Sequence, residues 1–126
     1  MTLNHVLSAV AVVAEDEPIL RLETVDLLEE AGFAVLDAAD AVQALRHLEQ
    51  NPDVCLLFTD VQMPPGRMTG LDLAREVAER WPQIAIVICS GVAQPDPTTL
   101  PGTVRFIAKP FLPSHVKTIL RDLAGR

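Results

Sequence analysis

The sequence predicts an α/β fold in which one parallel β-sheet is covered by helices on both faces. Five short apolar runs recur at regular intervals, and most of them are continuous rather than alternating. Continuous apolar runs are typical of parallel strands that are buried on both sides. Helical signals separate most of the runs, so neighbouring strands are predicted to be joined by helical crossovers. The five predicted strands are 9–14, 33–38, 54–59, 84–89 and 104–108.

The first predicted helix begins at Pro18, because proline suits the first turn of a helix, and it stops at Gly32. Its apolar side is predicted from Leu22, Val25 and Leu28, which follow one another at a spacing of three. This pattern indicates an amphipathic helix that packs on the sheet.

The second predicted helix begins at Asp40, which together with Gln43 resembles a capping box. Such a pair satisfies backbone N–H groups that the first helical turn leaves without a partner. Its apolar side is predicted from Val42, Leu45 and Leu48.

The remaining helical signals lie in the second half of the chain. Thr69 with Asp72 offers another capped start, for a helix that ends near 81–82. A last helix follows Pro113 and carries Val116, Ile119, Leu120 and Leu123. Between the fourth and fifth strands, residues 92–102 contain three prolines, so we expect only a short or irregular helix there.

Five alternating units predict a doubly wound sheet with the flavodoxin-like strand order 2-1-3-4-5. In this order the carboxyl ends of strands 1, 3, 4 and 5 share one rim, and ligands bind at the switch point between strands 1 and 3. We expect a single domain over residues 1–126, with a core from about residue 9 to residue 124.

Composition excludes several classes of function. The net charge is −7 and acidic residues are spread along the chain, which argues against a nucleic-acid surface. No apolar run approaches the length of a membrane span. Cys55 and Cys89 are predicted to be buried core thiols, roughly 13 Å apart along the sheet and too far apart for a disulfide. A reducing, cytoplasmic location is therefore expected.

Polar side chains follow the four strands that share the rim. Strand 1 ends in Glu15 and Asp16, strand 3 in Asp60, strand 4 in Ser90 and strand 5 in Lys109. Each residue alone has an ordinary structural explanation, such as capping a helix or a turn. Capping does not predict that all of them converge, or that a positive charge joins them.

Electrostatics gives this constellation a chemical meaning. Two like charges about 5 Å apart repel by roughly 3 kcal/mol at an effective dielectric of about 20. Lys109 supplies one positive charge against three carboxylates, and a divalent cation with oxygen ligands, such as Mg²⁺, would supply the rest. A carboxylate beside a metal, a lysine and a hydroxyl is well placed to accept a phosphoryl group, so Asp60 is the predicted nucleophile.

The chain resembles the receiver domain of two-component response regulators, from about residue 9 to residue 124. The resemblance rests on four motifs in the family's order and at familiar separations, and the ordered set is highly specific. The motifs are VVAEDEP (12–18), LLFTDVQMP (56–64), ICSG (88–91) and KPF (109–111).

The resemblance implies a role for each metal-site residue. Asp60 is the implied phosphoacceptor and Asp16 a direct Mg²⁺ ligand. Glu15 would act on the metal through water, and the backbone carbonyl of Gln62 would complete the protein ligands.

The resemblance also implies a switch and its partners. Ser90 and Lys109 would contact the phosphoryl group, and Phe106 matches the family's aromatic switch position. A histidine kinase or a histidine phosphotransfer protein would be the phosphodonor. A downstream protein target would bind the face formed by the fourth connection, the fifth strand and the last helix.

The resemblance has consequences for the extent of the protein. No sequence remains for an output domain, so we expect a stand-alone receiver or a receiver cut from a larger hybrid kinase. The start at Met1 slightly favours the stand-alone receiver.

The sequence departs from the family pattern at four places, one of which is the proline-rich connection 92–102, where the family's signalling surface usually includes a helix. Glu15 stands where aspartate is commoner, and Ser90 stands where threonine is commoner. The 63–70 loop is about two residues longer than usual, with Thr69 in place of an aspartate. Because this loop follows the phosphoacceptor, it bears on partner fit and on the lifetime of the phosphate.

Three other functions are alternatives to this interpretation. An aspartyl-phosphate hydrolase is disfavoured because such enzymes generally carry a general acid two residues after the nucleophile, where this chain has Gln62. They also usually carry a cap domain, for which we expect no room in this chain. A nucleotide or flavin binder is disfavoured because no G-x-G-x-x-G motif follows the first strand. A receiver-like docking module that works without phosphorylation is kept open by the altered 63–70 loop.

Overall fold

The computed structural model of the chain describes residues 9–61, 68–91 and 104–124. Five strands lie within these ranges, and each boundary falls within one residue of its predicted position. They are β1 (Val10–Ala14), β2 (Ala34–Ala38), β3 (Val54–Asp60), β4 (Ala85–Ser90) and β5 (Arg105–Ala108). The expectations for residues 92–102 and for positions 63–67 of the loop after β3 lie outside the described residues.

The strands form one parallel sheet in the order β2-β1-β3-β4-β5, which confirms the predicted topology. The register aligns Asp60 with Cys89 and Ser90 with Ala108. The carboxyl ends of β1, β3, β4 and β5 therefore lie along one rim, as the strand order requires.

In the part of the chain that the structure describes, four helices cover the two faces of the sheet. None of them combines the length and the apolar character that crossing a membrane requires. They are α1 (Pro18–Glu30), α2 (Ala41–Gln50), α3 (Gly70–Arg80) and α4 (Pro113–Ala124).

Alternate residues of each strand feed two separate cores, because successive side chains point to opposite faces of a sheet. On one face, Val13 and Phe58 pack with side chains of α1 and α4, including Leu28 and Val116. On the other face, Val12, Leu57 and Ile88 pack with side chains of α2 and α3, including Leu48 and Leu73. The central strands are apolar on both sides because both faces are covered.

The start of α1 shows how its polar residues are used. Pro18 lies in the first turn as predicted, and the N-cap is Glu17, whose side chain accepts a hydrogen bond from the Leu20 N–H at 2.6 Å. Gly32, just past the helix, has a φ of 104°, and the helix ends before it as predicted. Because Glu17 caps the helix, Glu15 and Asp16 are left for another role.

The predicted caps of α2 and α3 are confirmed. Asp40 accepts from the Gln43 N–H at 2.8 Å, while the Gln43 side chain accepts from the Ala39 N–H at 2.9 Å. Thr69 and Asp72 form the full capping box, with both hydrogen bonds at 3.1 Å. Each cap satisfies two N–H groups at the helix start.

Two predicted core positions are wrong. Leu22 is 63% exposed and Val42 is 50% exposed. Each lies six residues before the buried leucine of its helix, which places it about 120° around an axis with 3.6 residues per turn. The buried stripe of α2 is instead built from Ala41 and Ala44, with Leu48.

The prediction that both cysteines are buried is wrong for Cys55. Cys89 is 2% exposed, whereas Cys55 is exposed. The pairing of β1 with β3 jumps from Val10–Val54 to Ala11–Leu56, so Cys55 is the extra residue of a β-bulge. A bulge re-aims the side chain that it inserts, and here the result is an exposed thiol.

We therefore expect a water-soluble thiol reagent to modify one cysteine of the folded chain quickly and the other only after unfolding. Burial raises the pKa of Cys89 to about 12, and partial desolvation raises the pKa of the exposed Cys55 as well, so access to solvent distinguishes the two thiols. Spectrophotometric thiol counting in buffer and in denaturant measures this. Cys55→Ser should remove the fast reaction and Cys89→Ser should keep it; two fast thiols in the native chain would contradict the assignment.

Candidate functional site

Three charged side chains meet at the rim of the sheet. The ammonium Nζ of Lys109 lies 3.1 Å from Asp60 Oδ2 and 3.2 Å from Glu15 Oε1. Glu15 and Lys109 are 94 positions apart in the chain, and the strand order alone brings them together. The expected convergence of acids from β1 and β3 with an amine after β5 is found.

The two carboxylates are almost fully removed from water. Glu15 is 3% exposed and Asp60 is 6% exposed. Burial raises the pKa of Glu15; the Glu17 N–H opposes the shift and the charge of Asp60 adds to it. Partial burial lowers the pKa of Lys109, but its hydrogen bond to Asp60 and the surrounding negative charges outweigh this, so the pKa is raised. Lys109 thus stays protonated beside the pair.

Glu15 is fixed through all four of its polar atoms. Its N–H donates to the Ala38 carbonyl at 3.0 Å, and its own carbonyl accepts from Arg21 Nη1 at 2.9 Å. One carboxylate oxygen accepts from Lys109 and the other from the Glu17 N–H at 3.1 Å. The side chain is therefore held in one orientation at the end of β1, and Asp16, the next residue, is exposed.

The backbone of Val61, the residue after Asp60, is hydrogen-bonded through both its N–H and its carbonyl. The Val61 N–H donates to the Cys89 carbonyl at 3.0 Å, and the Gly70 N–H donates to the Val61 carbonyl at 2.9 Å. Gly70 is packed so closely that a Cβ at this position would overlap the Asp60 carbonyl oxygen. The glycine thus lets the start of α3 lie directly against the candidate phosphoacceptor.

Ser90 lies at the end of β4, on the rim, and Phe106 lies within the neighbouring strand β5. Ser90 ends β4 and is 3% exposed, and its carbonyl accepts from the Lys109 N–H at 2.8 Å. Phe106 in β5 is half-buried and packs against the core on the α2–α3 face. The end of β4 and the segment that carries Lys109 are therefore directly bonded.

The rim offers oxygen donors for a cation. Among the described residues, possible ligand atoms of Glu15, Asp60 and Cys89 lie within 4.8 Å of one another. Carboxylate oxygens are the donors that Mg²⁺ prefers, so the two acids fit this ion. The Cys89 thiol does not, because Mg²⁺ is a hard cation that prefers oxygen ligands to sulfur. Gln62, whose carbonyl was expected to be a ligand, lies outside the described residues.

Sequence reasoning missed two residues of the site. Gly70 had a signal, since a glycine inside the first turn of a helix is unfavourable and needs a reason. Arg21 had none, because nothing in the sequence links a basic residue of α1 to the carbonyl of Glu15.

A cleft lies beside Lys109, between α1 and residues 109–113. Its volume is about 760 Å³, and its lining combines apolar side chains with three acidic residues of α1. Ile19 and Leu112 directly precede or follow lining residues in the chain, and their apolar side chains are 68% and 60% exposed. The lining includes Leu20, Leu27, Phe111, Glu23, Asp26 and Glu30.

The model of the response regulator receiver domain matches residues 11–121 of the chain. The chain belongs to the response regulator receiver family. This confirms the resemblance on which the sequence interpretation rested. Receiver domains are regulatory modules of two-component signalling, and they generally bind Mg²⁺ at acidic residues such as those found at this rim.

Relatives and solved structures agree with this assignment. The receiver domain is 32% identical over 114 residues to the response regulator receiver protein CpdR of Brucella abortus, covering 87% of this chain and 89% of CpdR. It is 32% identical over 120 residues to the sensor kinase CckA of the same organism, but spans only 12% of that kinase and 92% of itself. A response regulator receiver protein from Sinorhizobium medicae superimposes with a TM-score of 0.82 at 26% identity, covering 91% of this chain and 93% of that one.

Gly70→Ala should destabilise the receiver domain, because the added methyl group has to displace the Asp60 carbonyl or the start of α3. Forcing extra atoms into a packed site costs about 1–3 kcal/mol, and urea unfolding measures the loss. Gly91→Ala is the matched control, since its Cβ would meet only Lys109 carbon atoms at an ordinary 3.9 Å. Equal stability of the two variants would contradict the close packing of Gly70 on Asp60.

Proposed function

We propose that this receiver domain is a phosphorylation-controlled switch, in which Asp60 accepts a phosphoryl group from a phosphohistidine. The donor would be a histidine kinase or a histidine phosphotransfer protein. The observation that carries the proposal is the contact of the buried Asp60 carboxylate with Lys109 at 3.1 Å, beside Glu15. Membership of the receiver family supports the same class of function.

The residues of the rim suit an in-line transfer. An oxygen of Asp60 would attack phosphorus, the phosphorus–nitrogen bond of the donor would break, and the imidazole would leave with that electron pair and take up a proton. Lys109 would neutralise charge on the phosphoryl oxygens, and the Ser90 hydroxyl would bind one of them. Such a transfer depends mainly on positioning and charge stabilisation, which this buried rim can supply.

Mg²⁺ is part of the proposal because the negative charges at the rim outnumber the positive ones. Lys109 supplies one positive charge, whereas Glu15 and Asp60 supply two buried carboxylates and Asp16 supplies a third, exposed one. Asp16 and Asp60 would be direct ligands, with the Gln62 carbonyl, and Glu15 would act through water. Bound there, the ion would supply further charge neutralisation for the transferred group.

The proposed output follows from the bond between the end of β4 and the Lys109 segment. A phosphoryl group adds a charge of about −1.5 to −2 at neutral pH, which would draw Ser90 and Lys109 towards Asp60. Since the Lys109 N–H is bonded to the Ser90 carbonyl at 2.8 Å, these two segments would move together. Phe106, which is only half-buried, would turn inward. The face formed by residues 92–102, β5 and α4 would then bind a downstream protein.

The phosphodonor is proposed to dock over the cleft beside Lys109. A partner has to approach Asp60 from this rim, and exposed apolar surface next to a site marks protein contact. Ile19 and Leu112 provide that surface, while the three acidic residues of α1 favour a partner with basic side chains.

We propose that this phosphoryl transfer takes place in the cytoplasm. The two free thiols support this location, because a reducing compartment keeps cysteines unpaired.

Incubation with a small phosphodonor and Mg²⁺ should add one phosphoryl mass to the chain, detected by intact-protein mass spectrometry. Asp60→Asn should abolish the adduct, whereas Asp53→Asn, just before the opposite end of the same strand, should leave it unchanged. Lys109→Ala should slow the reaction about 100-fold, as expected when a charge-stabilising group is removed. A native chain that never gains the adduct would overturn the proposal and favour a docking module that works unphosphorylated.

Docking over the cleft predicts a difference between two kinds of donor. Ile19→Ser and Leu112→Ser should each slow phosphorylation by a phosphohistidine protein about tenfold, because an interface anchor contributes more than 1 kcal/mol. Rates with a small phosphodonor should stay within about twofold, since the rim is intact. Val42→Ser is the control, being 50% exposed on a helix that covers the other face. If Val42→Ser slows transfer from the phosphohistidine protein as much as Ile19→Ser and Leu112→Ser do, the docking site lies elsewhere.

A further inference from the structure

Arg21 links the acidic loop after β1 to the edge of the sheet. Its Nη1 donates to the Glu15 carbonyl at 2.9 Å, and its Nε lies 3.1 Å from Asp37 Oδ2 in β2. The Arg21 side chain is 23% exposed and that of Asp37 is 55% exposed. One guanidinium thus connects α1, the loop and β2.

The bonded carbonyl belongs to the peptide between Glu15 and Asp16. A peptide group is planar, so holding its oxygen also fixes the direction of the Asp16 N–H and the position of the Asp16 Cα. Glu15 is already held by three other hydrogen bonds, but the peptide that leads out of it is held through Arg21. The starting point of the Asp16 side chain therefore depends on this contact.

Asp37 completes the arrangement in two ways. It pairs with Nε of the guanidinium while the loop carbonyl accepts from Nη1, and its negative charge balances a cation that would otherwise repel a bound metal. Because the Asp37 side chain is half exposed, the pair itself contributes little to folding. We therefore expect the Arg21–Asp37 pair to affect the geometry of the acidic loop more than the stability of the fold.

We propose that Arg21 is a positioning residue for the cation site, acting through the Glu15 carbonyl on the placement of Asp16, with Asp37 holding its guanidinium. This inference rests on the proposed function, in which Asp16 is a metal ligand. According to this inference, Arg21 increases the affinity for the cation and does not take part in the phosphoryl transfer itself. Lysine cannot replace it fully, because an ammonium lacks the planar fork that bonds both partners.

The test measures cation binding without any phosphorylation. Mn²⁺, followed by electron paramagnetic resonance, serves as the probe for the unphosphorylated protein. Arg21→Met should weaken Mn²⁺ binding about tenfold, the low end of effects seen when a residue behind a metal ligand is removed. Arg21→Lys should recover part of the loss, and Asp37→Asn should weaken binding about threefold.

A second arm separates positioning from general damage. With a small phosphodonor, Arg21→Met should raise the Mg²⁺ concentration that gives the half-maximal rate, while the rate at saturating Mg²⁺ changes less than about threefold. Arg80→Met is the matched control, since Arg80 also joins two elements through an ion pair, with Glu49 at 3.0 Å. It should change neither quantity.

Each contrary result has a distinct meaning. If Arg21→Met binds Mn²⁺ as tightly as Arg80→Met, or if the native chain binds none, the positioning role is overturned. If its weakened binding only follows the unfolded fraction seen by circular dichroism, the role is structural and the inference fails. If the native chain binds Mn²⁺ but gains no phosphoryl group, the proposed function fails while the Mn²⁺ comparison still decides the role of Arg21.

Discussion

The ammonium of Lys109, held between the carboxylates of Glu15 and Asp60, is the interaction on which the rim of the sheet depends. The two acids have oxygens within 4.8 Å of each other, and at an effective dielectric of about 20 they repel by about 3 kcal/mol. Each attraction to Lys109, across 3.1–3.2 Å, is about 5 kcal/mol on the same scale. On this scale the attraction to Lys109 outweighs the repulsion between the acids, although burial still raises the pKa of Glu15. The contact requires β1, β3 and β5 to end at one level, which ties the charge balance to the strand order.

The same balance is the physical basis of the proposed switch, because it would respond to any charge added at the rim. Lys109 leaves the buried group with a net negative charge, and any further negative group at Asp60 alters the forces on the ammonium. The backbone of Lys109 is bonded to Ser90, so those forces act directly on the end of β4. Glutamate at position 15 suits this arrangement, since its two oxygens reach Lys109 and the Glu17 N–H at once.

Much of the fold could be predicted because it follows from local patterns. Continuous apolar runs gave strand boundaries to within one residue, and the topology rule brought Glu15, Asp60 and Lys109 to one rim. What escaped prediction depends on three-dimensional packing. Cys55 is exposed because of a bulge in the β1–β3 register, which no single strand reveals. Leu22 was misplaced because a spacing of three drifts around a helix with 3.6 residues per turn.

The first turns of α1 contact both the acidic loop after β1 and the surface beside the cleft. Glu17 caps it, Ile19 is exposed beside the cleft, and Arg21 holds the Glu15 carbonyl, all within about one and a half turns. Since a helical turn is stiff, we expect a displacement of the exposed side of α1 to reach the acidic loop through Arg21. The Glu15 side chain is in turn bonded to Lys109, whose backbone is bonded to Ser90. The contacts that hold the acidic loop in place thus also connect the surface beside the cleft to the strand ends around Asp60.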